Sequence, residues 1–242
     1  KQDFAKAKSH TFNQERIYPC LYRPFTKTNV YFDRPLNDMV YQNYKLFPER
    51  NSENLAICVS GIGSSKGFSC LMTNLVPDLQ IMFNSQCFPL FLYSEETQEN
   101  TGLFASQNMQ STNKKYAILE ETLQSIQVKF QDKSISSEDI FFFIYGVLHH
   151  PSYRDAFQNN LVKQLPRIPL PENRTVFNEI SRCGRSLSDI HINFDDVEKY
   201  DCPFKEGDLR LASICDPLTF YRVEQMRFVK KVPCIFNLGM RN

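Results

Sequence analysis

Residues 136–150 read SSEDIFFFIYGVLHH and contain the most apolar run of the chain, residues 140–148. Ser136 followed three residues later by Asp139 resembles a capping box, in which a hydroxyl and a carboxylate each bind a backbone N–H at a helix start. The pattern predicts a buried helix over residues 137–149. Because the run is much shorter than the roughly 20 apolar residues that a membrane-spanning helix needs, it indicates a packed core and no membrane anchor.

Helical patterns continue on both sides of this run. Upstream, apolar residues from Leu119 to Phe130 recur at the spacing of one helix face. Downstream, Pro151 suits a first helical turn and predicts a helix over residues 151–161. A further helix is predicted over residues 175–190. Its inward-facing residues are expected to be Phe177, Ile180, Leu187 and Ile190.

The first ninety residues have a strand-like pattern of short apolar runs bounded by Pro, Gly, Asn and Asp. These runs are residues 17–22, 28–32, 55–60, 67–73, 79–83 and 87–93. The pattern returns to strand after Pro203, most clearly over residues 219–228. We therefore predict the α+β class, with a mixed or antiparallel β-sheet region, then a helical region, then C-terminal strands.

The charge is balanced overall but uneven along the chain. The 242 residues carry a formal net charge of +1, which argues against a generally basic nucleic-acid coat. The first 50 residues hold nine Lys and Arg against five Asp and Glu, whereas residues 51–140 hold five against ten. Any anion-binding face is expected to draw on the first block and on local clusters within residues 141–191 and 192–242. The chain begins at Lys1, and we expect it to be a piece of a longer protein.

No catalytic or metal-binding motif is recognisable. The eight cysteines form no C-x-x-C pair, which favours free thiols in a reducing cytoplasm and argues against zinc. The sequence lacks the E-x-K of metal-dependent nucleases, the G-x-S-x-G elbow and a P-loop. The pair His149 and His150 is typical of a helix C-terminus. We therefore expect no enzyme activity and no cofactor in this chain.

Residues 60–67, Ser-Gly-Ile-Gly-Ser-Ser-Lys-Gly, form a glycine-rich loop between two predicted strands. Two readings stay open for it. The loop is either a flexible hairpin connection or a site where backbone amides and Lys66 approach an anion.

Several motifs in a fixed order resemble the C-terminal target recognition domain of type ISP restriction–modification enzymes. The first is Tyr22-Arg23-Pro24-Phe25, and the strongest joins Glu138-Asp139-Ile140-Phe141 to Tyr145-Gly146-Val147-Leu148-His149. Tyr221-Arg222-Val223-Glu224 closes the series, so the resemblance covers about residues 16–228. Thr26 departs from the family, which usually has Asp after Arg-Pro-Phe.

The resemblance implies a domain that reads duplex DNA within a single polypeptide. Residues 1–15 would be a linker, and residues 16–242 the recognition domain. This domain would comprise a β-rich part (16–112), a helical part (113–192) and C-terminal strands (193–242), shortened relative to the family. The nuclease, helicase-like motor and adenine methyltransferase of the parent would use ATP, Mg²⁺ and S-adenosylmethionine. These modules and double-stranded DNA would be the partners.

DNA contacts are expected from exposed polar loops, because motifs shared by enzymes with different targets suit a scaffold better than base readers. The candidates are Lys27, Asn29, Arg34, Ser64, Ser65, Lys66, Arg222, Arg227, Lys230 and Lys231. Arg23 and Arg154 are expected to brace a loop or strand end through a carboxylate. Two alternatives stay open: a fragment with residual nuclease activity, and a scaffold that mainly contacts the methyltransferase or motor.

Overall fold

The computed structural model describes residues 10–37, 41–64, 66–95, 112–198, 223–224 and 227–228. The chain divides into two units, residues 1–196 and residues 197–242. In the second unit, the described residues are two short antiparallel strands, which pair Arg227 with Glu224 and Phe228 with Val223.

The first unit begins with strands and ends with helices, which confirms the predicted α+β class. Its strands are β1 (Ile17–Arg23), β2 (Thr26–Tyr31), β3 (Ala56–Val59), β4 (Cys70–Thr73), β5 (Val76–Pro77), β6 (Gln86–Pro89), β7 (Phe91–Glu95) and β8 (Thr112–Tyr116). Its helices are α1 (Asn43–Leu46), α2 (Glu120–Phe130), α3 (Ser137–His149), α4 (Pro151–Leu161) and α5 (Arg174–Ile192). The strands of the second unit are β9 (Val223–Glu224) and β10 (Arg227–Phe228).

The described residues of the first unit form three small sheets. Strands β2, β1 and β5 make a mixed sheet, in which β1 is antiparallel to β2 and parallel to β5. Strands β4, β3 and β6 make an antiparallel sheet, and β7 pairs with β8. The second of these sheets contributes Ile57, Val59 and Met72 to the main core, where they pack with the phenylalanines of α3.

Helix α3 is the predicted buried helix. The Ser136 Oγ accepts from the Asp139 N–H at 3.1 Å, and the Asp139 carboxylate accepts from the Ser136 N–H at 3.0 Å, which completes the capping box. The bounds Ser137–His149 and Pro151–Leu161 agree with the sequence pattern. The capping box explains the start of α3, because it satisfies free N–H groups of the first turn, and Pro151 explains the start of α4, because proline has no N–H and its fixed φ suits a first helical position.

Helix α3 crosses α5 at two glycines, Gly146 and Gly184. A Cβ at Gly184 would lie 2.0 Å from the Phe142 carbonyl oxygen, and a Cβ at Gly146 would lie 2.5 Å from the Ile180 carbonyl oxygen. Backbone therefore packs on backbone at this crossing, with no room for a side chain on either helix.

A buried polar cluster lies beside this crossing. The Tyr145 hydroxyl accepts from the Met72 N–H at 2.9 Å and pairs with Nδ1 of His191. The ring of His149 packs edge-on against both Tyr145 and His191. Burial raises the pKa of Tyr145 and lowers the pKa of His191.

Three expectations about elements differ from the structure. Residues 79–83 form a turn and no strand, and β8 occupies a region that was expected to turn helical. Ile190, which was expected to face inward, is 49% exposed. Of the strand expected over residues 219–228, the described residues 223–224 and 227–228 are strand, as β9 and β10, and the rest lie outside the described residues. Among the described residues, no helix combines the length and apolarity needed to cross a bilayer.

Candidate nucleic-acid interface

The glycine-rich loop connects β3 to β4, so its hairpin reading is confirmed. The loop is closed at its base by two bonds between Ser60 and Ser69: the Ser60 N–H donates to the Ser69 carbonyl at 2.9 Å, and the Ser69 N–H donates to the Ser60 Oγ at 3.0 Å. Gly63 and Gly67 have φ angles of +79° and +77°, which L side chains rarely adopt. The two glycines therefore shape the bends of the loop.

Most of the described backbone amides of this loop already donate hydrogen bonds within the protein. The Gly63 N–H donates to the Val162 carbonyl at 2.9 Å, and the Gly67 N–H donates to the Ser64 carbonyl at 3.4 Å. The Lys66 N–H donates to the Ser64 Oγ at 3.4 Å. These amides are therefore not free for an anion, and the loop offers it the Lys66 ammonium and serine hydroxyls.

A second loop, residues 78–85, packs directly against the glycine-rich loop. The Gly61 N–H donates to the Phe83 carbonyl at 3.0 Å, and a Cβ at Gly61 would lie 2.3 Å from the Asn84 carbonyl oxygen. Phe83 and Asn84 have φ angles of 62° and 51°. Gly61 is thus required for the contact that holds the two loops together.

Arg23 connects the end of β1 to this second loop. Its guanidinium lies 3.0 Å from the Asp78 carboxylate and 3.9 Å above the Tyr22 ring. The same carboxylate accepts from the Gln80 N–H at 2.7 Å, so it also shapes the loop. The expected bracing role of Arg23 is confirmed. Arg154 differs, because it donates to the Leu148 carbonyl at 2.7 Å and contacts the His149 ring, and no carboxylate is its partner in the described structure.

The two loops and the β1–β2 turn enclose a cleft of about 510 Å³, here called the Lys66 cleft. Its walls are Arg23 and Pro24 of the turn, Ser60, Ser64, Lys66, Gly67 and Ser69 of the glycine-rich loop, and Gln80, Ile81, Met82 and Phe83 of the second loop. The Lys66 ammonium lies 5.1 Å from the centroid of the Phe83 ring. In the described structure, Lys66 has no carboxylate partner.

The structure brings two of the sequence candidates, Ser64 and Lys66, together in this cleft. The other described candidates lie outside its walls. Lys27 on β2 forms an ion pair with Asp195 at 2.8 Å and lies 4.6 Å from the Phe194 ring centroid. Asn29 is exposed two residues further along β2, and the Arg34 guanidinium lies 4.7 Å from the Tyr44 ring centroid.

For the remaining candidates, the structure describes no side chain. Ser65, Arg222, Lys230 and Lys231 lie outside the described residues. Arg227 belongs to β10, and only its backbone is described. The sequence analysis did not single out Phe83 or Gln80 as part of a site. The signal for Phe83 was a large apolar residue directly before the polar residues Asn84 and Ser85, but Phe83 had been assigned to the end of a strand.

Within the described ranges, no group of three or more His, Cys, Asp or Glu side chains is arranged to hold a metal ion. The cysteines described there, Cys20, Cys58, Cys70, Cys87 and Cys183, are free thiols. The Lys66 cleft therefore offers cations, hydroxyls and an aromatic ring, a set suited to binding a phosphate-bearing partner.

Several solved structures are similar to this chain, and three of them are DNA-bound proteins. The cryo-EM structure of a DrdV–DNA complex matches with a TM-score of 0.71 and 34% identity, covering 87% of this chain and 20% of that chain. LlaBIII, an ATP-dependent Type ISP restriction–modification enzyme bound to DNA, matches with a TM-score of 0.68 and 29% identity, covering 83% of this chain and 12% of that chain.

The third neighbour is a nuclease-deletion mutant of the Type ISP restriction–modification enzyme LlaGI with a DNA substrate mimic. Its TM-score is 0.64 at 30% identity, and the match covers 83% of this chain and 16% of that chain. The chain therefore spans a fifth or less of these neighbours. No curated protein sequence matches it. The family model of the Type ISP C-terminal specificity domain matches residues 1–237, and the chain belongs to this family.

Proposed function

We propose that this domain recognises a specific sequence of duplex DNA and directs a restriction–modification enzyme to it. The observation that carries the proposal is the match of more than four fifths of the chain to three proteins solved with DNA or a DNA mimic. The Lys66 cleft supports it, because phosphate contacts give affinity and register while side chains at base edges give specificity.

The proposal extends to the organisation of the parent protein. Residues 16–242 act as the recognition domain, residues 1–15 link it to preceding modules, and this chain performs no catalysis. Adenine methylation and ATP-dependent cleavage belong to those modules, which use S-adenosylmethionine, ATP and Mg²⁺ in the cytoplasm. The contacts to DNA come from Lys27, Asn29, Arg34, Ser64 and Lys66, from Arg227 on β10, and from Ser65, Arg222, Lys230 and Lys231, which lie outside the described residues.

The test is selection of DNA by the 242-residue chain itself. The chain is incubated with a random duplex library at low salt, and bound duplexes are separated, amplified and sequenced over several rounds. We expect one short motif to be enriched and to bind more tightly than a scrambled duplex. Binding without any enriched motif would leave only a scaffold or non-specific role. Nicking of plasmid by the chain with Mg²⁺ would instead support a fragment with nuclease activity.

A further inference from the structure

Phe83 is an exposed aromatic residue whose ring adds little to the packing of the folded chain. Its side chain is 47% exposed, and in the described structure no other aromatic ring packs on it. Phe25 has similar exposure and also a positive φ, but its ring packs edge-on against His191 and Phe194. Phe83 therefore presents an apolar face to solvent at the rim of the Lys66 cleft.

The backbone at Phe83 is strained as well. A φ of 62° is uncommon for a bulky residue, whereas Gly and Asn adopt it readily. Strained backbone of this kind persists where the surroundings impose it, and it is enriched at ligand-contacting sites. Asn at this position would relieve the strain and remove the exposed apolar surface.

The loop that carries Phe83 is held rigidly. The Met82 N–H donates to the Ser85 Oγ at 2.7 Å, and the Ser85 N–H donates to the Leu79 carbonyl at 2.8 Å. Ile81 and Met82 are buried, so the two residues before Phe83 anchor the loop in a core cluster. The close contact at Gly61 fixes the other side. The Phe83 ring therefore projects from a loop that hydrogen bonds and buried side chains hold in one conformation.

A cation stands beside this ring. The Lys66 ammonium lies 5.1 Å from the centroid and faces the same cleft as Arg23. Some DNA-binding proteins insert an apolar side chain between two stacked base pairs. An aromatic ring can stack on a base there, while a neighbouring cation binds the adjacent phosphate.

We propose that Phe83 inserts against a base step of the target duplex and stacks on a base that is partly unstacked there, with Lys66 on the flanking phosphate. The inference rests on the proposed function, because it requires that the domain binds duplex DNA. It assigns Phe83 as a specificity-determining residue, since base steps differ in how easily they unstack.

The test uses three variants of the 242-residue chain and the duplex selected above. Phe83→Asn removes the ring and suits the positive φ, so it is expected to fold at least as stably as the wild type. Phe83→Tyr keeps a stacking ring. Phe88→Ala removes a phenylalanine of comparable exposure, 43%, that lines a different cleft of about 620 Å³. Urea unfolding of each variant establishes its stability.

Binding is measured by titration, and unstacking by the fluorescence of 2-aminopurine placed at successive positions of the duplex. We expect Phe83→Asn to weaken binding about 10- to 100-fold and to abolish a local fluorescence rise that the wild type produces. Phe83→Tyr and Phe88→Ala are expected to stay within about threefold of the wild type, a change too small to represent the loss of a stacked base.

Equal affinity and equal fluorescence for Phe83→Asn and wild type would overturn this inference and leave the proposed function standing. So would a wild-type complex without any fluorescence rise. Failure of the wild-type chain to enrich any duplex would overturn the proposed function, and this inference with it.

Discussion

At the scale of single residues, the core contains a histidine that is held neutral. Burial lowers the pKa of His149 to about 4, and the charges of Arg154 and then His191 add to the effect. Arg154 reaches the Nδ1 of His149 at 3.3 Å, while the buried Nε2 has no partner in the described structure. A proton on this ring is therefore unfavourable in the folded chain.

This arrangement predicts a loss of stability in acid. Below the unfolded pKa of about 6.5, the unfolded chain binds a proton that the folded chain excludes until about pH 4. The contribution of His149 is therefore complete above about pH 6.5 and is lost as the pH falls toward 4. We expect a loss of about 2 kcal/mol once the screening by water around this half-buried ring is allowed for.

Urea unfolding of wild type and His149→Gln between pH 7.5 and pH 4 measures this contribution. Both proteins also lose the stability linked to His191, whose pKa is lowered by burial. The difference between the two pH profiles therefore reports His149 together with its electrostatic coupling to His191. If the free energy of unfolding changed with pH in the same way for both proteins, the pKa of His149 would be the same in the folded and the unfolded chain.

At the scale of elements, the crossing of α3 and α5 depends on Gly146 and Gly184. We expect Gly184→Ala to destabilise the protein by about 1–3 kcal/mol, because the added methyl group meets the Phe142 carbonyl oxygen at 2.0 Å and forces the helices apart. Ser186→Ala, at an exposed position of the same helix, is the matched control and should change stability by less than about 0.5 kcal/mol. A Gly184→Ala variant as stable as this control would contradict close backbone packing.

The elements also show what the sequence can predict. Helices α3 and α4 were predicted at their observed bounds, because the Ser136–Asp139 box and Pro151 fix their starts by local chemistry. Residues 79–83 were predicted as a strand because Leu79, Ile81 and Met82 are apolar, but Ile81 and Met82 are buried through a turn that Asp78 and Ser85 hold in shape. Those turn bonds are local, but the burial of Ile81 and Met82 comes from packing with Leu21, Cys58 and Leu71, which are distant in sequence, and a local pattern cannot reveal that packing.

The Lys66 cleft was likewise predictable only where local sequence determines it. Lys66 and Ser64 were predicted from the composition of one loop, and they lie in the Lys66 cleft. The cleft itself could not be predicted, because its walls come from three segments separated along the chain. Nor could the sequence reveal that Asp195 neutralises Lys27, since 168 residues separate the two partners and only the fold brings them to 2.8 Å.

At the scale of the whole molecule, the basic character of the first 50 residues should appear as salt-dependent binding. Each phosphate contact on B-DNA contributes about 0.9 to the slope of log affinity against log salt. We expect alanine at Lys27, Arg34 and Lys66 together to weaken binding to the selected duplex and to flatten this slope. Lys66→Ala alone should have a larger effect than Lys27→Ala, because Asp195 already compensates the charge of Lys27.

The measurement is affinity for the selected duplex at salt concentrations from 50 to 200 mM. Alanine at Lys129, Lys133 and Arg182 removes the same charge from the helical part and is the matched control. If the slope of log affinity against log salt were the same for both triple variants, Lys27, Arg34 and Lys66 would not form part of the DNA interface.

The hydrogen bond from the Met72 N–H to the Tyr145 hydroxyl joins residues 73 positions apart. Helices α3 and α4 contain mainly local contacts and can form early, whereas β4 finds this partner only after a long loop closes. Sheet and helices should then lose their structure in one cooperative transition, and refolding should be limited by their docking and not by helix formation. In a chain that emerges from the ribosome, β4 therefore reaches its final stability only after α3 has been synthesised.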